Sequence, residues 1–250
     1  SSSSSSSSGG NTCAAGDDTN RTTLFTYTAD NLPATITAVN LTTGNQTTTF
    51  LYGTTLSTSG VASSLLKVAE IYPDSVGGSD QKTFTYNRQS EVTGLTDQNG
   101  SVHAYDHDLL GRSTQDRITT LGAGVDSAVR RIAITYEVRG LVQNITSYDN
   151  ATVGAGAVVN DVQKAYNSFA QLIIEYQSHS GAVNVLSSPK VQYGFASGSA
   201  NTIRPLSVTY PNGRVLNYDY GTAQGINDAL SRIGSLIDND GVTHLADYSY

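Results

Sequence analysis

Two histidines, two pairs of aspartates and a single cysteine carry the functional groups with which this sequence could do chemistry. His103 and His107 stand four residues apart, the spacing that sets two imidazoles over one metal ion on a helix. The sequence around them alternates as a strand does, and there the same spacing separates the rings by about 14 Å at about 3.4 Å per residue, too far to share an ion. Asp106 with Asp108, and Asp238 with Asp240, resemble paired carboxylates for general acid and base work. Both pairs lie in turn-forming sequence, where an aspartate side chain bonds to backbone N–H groups, so a structural role is the stronger reading. Cys13 is the only cysteine, stands beside a polar leader and reads as an inert thiol. The nucleophile elbow Gly-x-Ser-x-Gly, a phosphate loop with lysine and His-Glu-x-x-His do not occur. Gly122-Ala123-Gly124 and Gly154-Ala155-Gly156 lack the strand-to-helix context of a dinucleotide site and read as flexible loops. Sequons at Asn20, Asn40, Asn45, Asn99, Asn144 and Asn150 are those an Asn- and Thr-rich chain acquires by chance. The expectation is no enzyme, with no catalytic, cofactor or metal site.

What must position these groups is β structure. Only 14% of the 250 residues are charged, and 15 tyrosines stand against five phenylalanines with no tryptophan or methionine. Tyrosine and threonine suit a half-buried pleated surface. A net charge of −7 argues against nucleic acid or an anionic membrane as partner. No apolar run is long enough for a membrane span, and no secretory signal opens the chain. The serine run ending at Gly10 cannot bury anything, so residues 1–16 are expected to be a low-complexity linker and residues 17–250 the folded region.

Period-two alternation supports strands over that region. Ile132, Ile134 and Tyr136 share one parity and Arg131, Ala133 and Thr135 the other. Leu206, Val208 and Tyr210 alternate likewise before Pro211-Asn212-Gly213 turns the chain into Leu216, Tyr218 and Tyr220, a hairpin signal. Thr43-Gly44-Asn45 offers a turn into a strand through Phe50 and Tyr52. Asp97-Gln98-Asn99-Gly100 predicts a tight turn whose Asn-Gly pair takes positive φ. Stretches 53–64, 121–129, 149–159 and 194–201 read as loops outside the sheet. Helical spacing over 227–238 is expected to give no more than a short turn before a strand. Asp247-Tyr248-Ser249-Tyr250 reads as mid-strand, as in a segment of a longer protein.

The stretch from Phe84 to Arg112 holds two near-copies of one pattern, at Tyr86-Asn87 and at Tyr105-Asp106, the second closing on Gly111-Arg112. With anchor tyrosines at Tyr27, Tyr52, Tyr86, Tyr105, Tyr136, Tyr166, Tyr193, Tyr220 and Tyr250, this resembles the YD repeat of the RHS family, roughly Tyr-Asp-x-x-Gly-Arg. Tyr105-Asp106 matches with a longer spacing before the glycine, four residues in place of two, and Tyr86-Asn87 matches without the Gly-Arg.

The resemblance implies an all-β fold of consecutive antiparallel hairpins in a spiralling, curved sheet, part of a hollow shell or barrel. It implies partners too: the remainder of the shell, and a C-terminal effector or toxin domain enclosed by it, in a secreted or cell-surface protein. The family's Asp-Pro self-cleavage motif has no counterpart here, so autoproteolysis is not implied. An extracellular carbohydrate-binding or adhesion module, with a glycan stacked on tyrosine rings, is the alternative. Open sheet edges would promote self-association.

Overall fold

The computed structural model describes residues 21–40, 42–197 and 203–250. The serine-rich segment, Cys13 and the Asn20 sequon therefore lie outside the described residues. These divide into two compact units, one holding residues up to Tyr105 with Thr120–Val125, the other Asp106–Thr119 with Asp126–Tyr250.

The first unit carries β1 (Thr23–Tyr27), β2 (Pro33–Ala38), β3 (Gln46–Thr54), β4 (Ser63–Ile71), β5 (Gln81–Tyr86), β6 (Val92–Thr96) and most of β7 (Val102–His107). Each pairs antiparallel with its sequence neighbour. The second unit carries β8 (Ser113–Thr120), β9 (Arg131–Tyr136), β10 (Val142–Tyr148), β11 (Val158–Tyr166), β12 (Leu172–Ser178) and β13 (Lys190–Phe195). It continues with β14 (Pro205–Thr209), β15 (Val215–Asp219), β16 (Ser235–Ile237) and β17 (His244–Asp247), again paired in succession. The helical spacing over 227–238 yields a single turn, α1 (Ile226–Ala229), and then β16, as expected. The all-β hairpin fold is thus observed. The mid-strand reading of Asp247–Tyr250 is corrected: the strand stops at Asp247, and Tyr250 instead donates its hydroxyl to Ile233 O at 3.1 Å.

One turn recurs seven times among the described residues. Its first residue donates its N–H to the carbonyl four residues on, and accepts at its own carbonyl from the N–H three residues on. The first residues are Thr28, Asn87, Asp97, Asp108, Glu137, Asn167 and Tyr210. The fourth residue is left-handed each time: Asn31, Ser90, Gly100, Gly111, Gly140, Ala170 and Gly213. This is the three-residue hairpin loop closed by a left-handed bulge residue. The expected tight Asn-Gly turn is corrected accordingly, since Gly100 alone takes positive φ and Asn99 does not. Side chains brace it: Asn87 Oδ1 accepts from Gln89 N and Glu91 N, and Asp97, Asp108 and Asn167 do the same two and four residues on. The acidic or amide residue of the repeat is a turn brace.

Ala170 holds φ at 63°, where a Cβ is crowded. Ala170→Gly is expected to stabilise the protein by about 0.5–1 kcal/mol, read from the urea midpoint, whereas the same change at a strand position would destabilise it.

Candidate functional site

The structure separates the residues that sequence alone offered for chemistry. Asp106 takes a two-pronged ion pair from Arg117, Nε to Oδ2 and Nη2 to Oδ1, both 2.8 Å. Asp108 faces a different partner, Arg112 Nε at 2.7 Å, and the Arg112 guanidinium holds its carboxyl below the usual range. No shared proton site joins the two. The register of the repeat is also corrected: the turn begins at Asp108, so His107 occupies the place before it that Tyr86, Tyr136 and Tyr166 fill elsewhere, and Tyr105-Asp106 lies inside β7. His103 stacks on Tyr105 with ring centroids 6.0 Å apart. Among the described residues no three His, Cys, Asp or Glu side chains are grouped as metal ligands would be.

Asp238 accepts from Arg214 Nε at 2.9 Å. Asp240 accepts from the N–H groups of Val242 and Thr243 and from the Thr243 hydroxyl, which together lower its pKa from 3.8 to about 2. A carboxyl depressed in the folded state contributes stability above its unfolded pKa and loses it as pH falls through the folded value. The loop 238–243 should therefore hold its amide protection at pH 5 and lose it progressively from about pH 4 towards pH 2, with Asp240 titrating last by NMR.

Six of the nine anchor tyrosines have their hydroxyls committed to backbone carbonyls. Tyr52 donates to Pro33 O, Tyr86 to Lys67 O, Tyr136 to Ser113 O, Tyr166 to Val142 O, Tyr220 to Pro205 O and Tyr250 to Ile233 O, at 2.6–3.1 Å. In three of these an arginine immediately before the acceptor residue lies over the ring: Arg112 on Tyr136 at 4.2 Å, Arg204 on Tyr220 at 4.4 Å and Arg232 on Tyr250 at 5.1 Å. At Tyr136 the arginine is that of Gly111-Arg112, so there the Tyr and Gly-Arg elements of the repeat meet across hairpins. Each of the six hydroxyls thus ties its tyrosine to backbone placed earlier in the chain.

Two loops expected to be flexible are docked. Gly122 N donates to Ser101 Oγ at 3.1 Å, and a Cβ on Gly122 would meet Asn99 O at 2.4 Å. Gly156 sits equally close to Asp149 and Asn150, and Ala155 O accepts from the Arg131 guanidinium at 2.9 Å. The Asn99 sequon is engaged by the same contacts, and Thr146 of the Asn144 sequon is buried, donating to Asp161 Oδ1 at 2.8 Å.

These loop contacts make the two faces of the second unit unequal. Residues opposite one another on neighbouring strands share a face. One face carries Arg131, Ala133, Thr146, Asp161, Tyr176 and Ser178, all buried. Loops cover it, with Asn150 O and Ala155 O on Arg131, Val183 N on Asp161 Oδ2 and Ser180 O on Ser178 Oγ. The opposite face carries Ile134, Ile145 and Val162 in register, then the Lys164–Glu175 ion pair and Gln177, and further on Tyr193, Val208 and Leu216. Most of these are half-buried, and Ile132 beside them is 38% exposed. The isoleucine parity is therefore not the buried one. Sequence reasoning missed Arg131 and Asp161 as anchors, and the only signal was a charge set within strand sequence, Arg131 opening β9 and Asp161 inside β11.

In the first unit the faces differ in another way. Phe25, Ile36, Phe50, Phe84 and Leu95 share one face, with Lys67 over both Phe50 and Phe84. The other face is rich in threonine, with hydroxyl pairs Thr26–Thr35 and Thr37–Thr47 at 2.6 and 2.9 Å. The closest element contacts run between strands adjacent in sequence, so among the described residues neither unit adds a second sheet to either face. Among the described residues no helix is long and apolar enough to cross a membrane.

No family model matches the chain. Nor does any curated protein match it. Solved structures do: a crystal structure of TcdB2-TccC3 superposes with a TM-score of 0.53 at 10% identity, over 87% of this chain and 12% of that one. A structure of the Photorhabdus luminescens Tc holotoxin pore aligns at 10% identity over 91% of this chain and 12% of that one, with a TM-score of 0.48. The chain thus spans a small part of the solved chains it matches. At this identity the likeness to TcdB2-TccC3 establishes the fold, that of an RHS-type YD-repeat shell.

Proposed function

We propose that the chain is a non-enzymatic wall segment of an RHS-type shell, part of a longer secreted or cell-surface protein that encloses a C-terminal effector. The observation that carries this is the inequality of the two faces in the second unit. A sheet with no second layer among the described residues that closes one face with its own loops, and leaves the other half-exposed with apolar residues beside an ion pair, has the character of a wall with an outside and a lining. An enclosed polypeptide of the same chain is the partner that such a lining suits. Every aspartate weighed for catalysis is engaged by an arginine or by backbone N–H groups, which favours a structural role for the acidic residues. The alternative, a carbohydrate-binding or adhesion module, has less support, because stacking needs free tyrosine rings and most anchor tyrosines are spent inside the sheet.

The test uses the longer protein from which this chain derives. Val162→Asp and Val208→Asp should lower the thermal transition of the 250-residue chain but leave it folded at about 25 °C, and should expose the C-terminal region of the longer protein to limited proteolysis. Unchanged protection, or a longer protein with no separate domain beyond the repeats, would refute enclosure.

Self-association belongs to the same proposal. β1 pairs only with β2 among the described residues, carries no charge, and leaves Leu24, Phe25 and Tyr27 more than half exposed. An uncharged strand edge of this kind accepts another strand. Sedimentation of the isolated chain is expected to show concentration-dependent association that Phe25→Lys weakens at least several-fold. A monomer at all concentrations would remove the edge from consideration.

A further inference from the structure

Between the turn at 210–214 and Leu245 of β17 lies a cleft of about 470 Å³, lined by Tyr210, Pro211, Asn212, Arg214, Leu216 and Leu245. Its size is that of a site for a small molecule. The tyrosine ring, the proline and the two leucines give it apolar walls. Its polar side chains are donors on balance. Asn212 Oδ1 is already taken by Arg214 N at 3.0 Å, which leaves the Asn212 amide N–H groups. Arg214 gives only its Nε to Asp238, and its two terminal nitrogens make no hydrogen bond among the described residues. The Arg214 side chain is 51% exposed, and that ion pair fixes the direction of its guanidinium. Cross-bracing steadies the 210–214 wall as well, since Val215 N donates to Asn239 Oδ1 at 2.9 Å and so ties that turn to the loop at 238–243.

A slot with apolar sides and surplus donors at its rim is complementary to an acceptor on an apolar body. We propose that this cleft binds a small organic carboxylate with a flat apolar body, the ring lying between Tyr210 and the leucines and the carboxylate on the free Arg214 nitrogens. An arginine fork prefers a carboxylate over a neutral amide because both of its N–H bonds are then charge-assisted. Asp238 competes for the same guanidinium, so it sets the affinity as well as the direction of the arginine.

The test titrates the isotopically labelled 250-residue chain with 3-phenylpropionate and with its neutral analogue 3-phenylpropanamide, followed by amide NMR. The acid is expected to give saturable shifts confined to 210–216 and the strand around Leu245, and the amide to bind about tenfold more weakly. Arg214→Gln should weaken the acid about tenfold and leave the amide unaffected, whereas Asp238→Asn should tighten the acid several-fold. Equal binding of acid and amide would show an unselective apolar slot and overturn the proposal. So would shifts that do not saturate, or an Asp238→Asn chain that binds no better. If Arg214→Gln perturbs folding, the acid and amide pair on the unchanged chain decides. Binding is read without any enclosed domain, so its outcome is independent of the shell assignment.

Discussion

Replacing Arg131 with methionine should cost the second unit about 3 kcal/mol, one of the largest single-residue effects in the protein. Arg131 is 4% exposed, and no carboxylate is among its partners. Its guanidinium donates to Gln115 Oε1 at 3.2 Å, Asn150 O at 3.3 Å and Ala155 O at 2.9 Å, and lies 3.7 Å from the centre of the Tyr148 ring. Two effects oppose. Methionine relieves the desolvation of a buried cation, which on its own can make an apolar replacement stabilising. It also strands three acceptors that the loop 149–157 and β8 have turned inward, each lost charged hydrogen bond costing about 1.5–3 kcal/mol. The second effect wins because the carbonyls remain when the cation goes. Arg131→Lys should recover little, since an ammonium cannot reach three acceptors spread over a planar fork. Arg139→Met, which removes a more exposed pair with Glu137, should leave the urea midpoint nearly unchanged. A midpoint for Arg131→Met close to that of the parent chain would end the view that this loop is clamped by a cation.

Arg131 also marks where sequence reading ran out. Alternation located β9 and its two faces, but hydrophobicity would have turned Ile132 and Ile134 inward, and the structure buries Arg131 and Ala133 instead. The rule that the apolar parity is buried assumes that a second apolar layer covers it. Here the cover is a pair of loops presenting backbone carbonyls and N–H groups, and such a cover suits Arg131, Thr146 and Asp161. No local pattern announces which face a distant loop will choose.

Hairpins, by contrast, were legible because their determinants are local. The β14–β15 turn at Pro211-Asn212-Gly213 and the brace at Asn87 follow from residues within five positions. Legibility failed by small displacements where a local rule had two solutions. Asn99-Gly100 is compatible with a two-residue turn, yet Asp97 Oδ1 accepts from Asn99 N and Ser101 N and so selects the longer loop. The same brace at Asp108 moved the repeat two residues beyond Tyr105-Asp106, because the aspartate that matters is the one four residues before the arginine it binds. The cleft at Tyr210 was not legible at all. It depends on Leu245 and Arg214 meeting across three strands, a consequence of register between separate hairpins.

Gly122→Ala is the second large effect, expected to destabilise the first unit by about 2–3 kcal/mol. The glycine is not there for backbone freedom; it is there for space, since an added Cβ would lie 2.4 Å from Asn99 O, 2.8 Å from Asn99 Nδ2 and 2.9 Å from Ser101 Oγ. The first of these is backbone and cannot swing away. Moving the loop back by the needed ångström would break Gly122 N to Ser101 Oγ and Asn99 Nδ2 to Ala123 O, and Ser101, only 3% exposed, would keep a hydroxyl with nothing to accept from. Gly124, two residues on, gives the contrast: it holds φ at 75° with open space around its Cα, so Gly124→Ala should cost only about 1 kcal/mol, through the backbone alone. Urea unfolding of the two variants, with hydrogen exchange at the Ser101 and Gly122 amides, separates the mechanisms. If Gly122→Ala proves no worse than Gly124→Ala and the Gly122 amide stays protected, the loop is not seated on the β6–β7 turn, and glycine-rich insertions return to being the slack that sequence alone suggested.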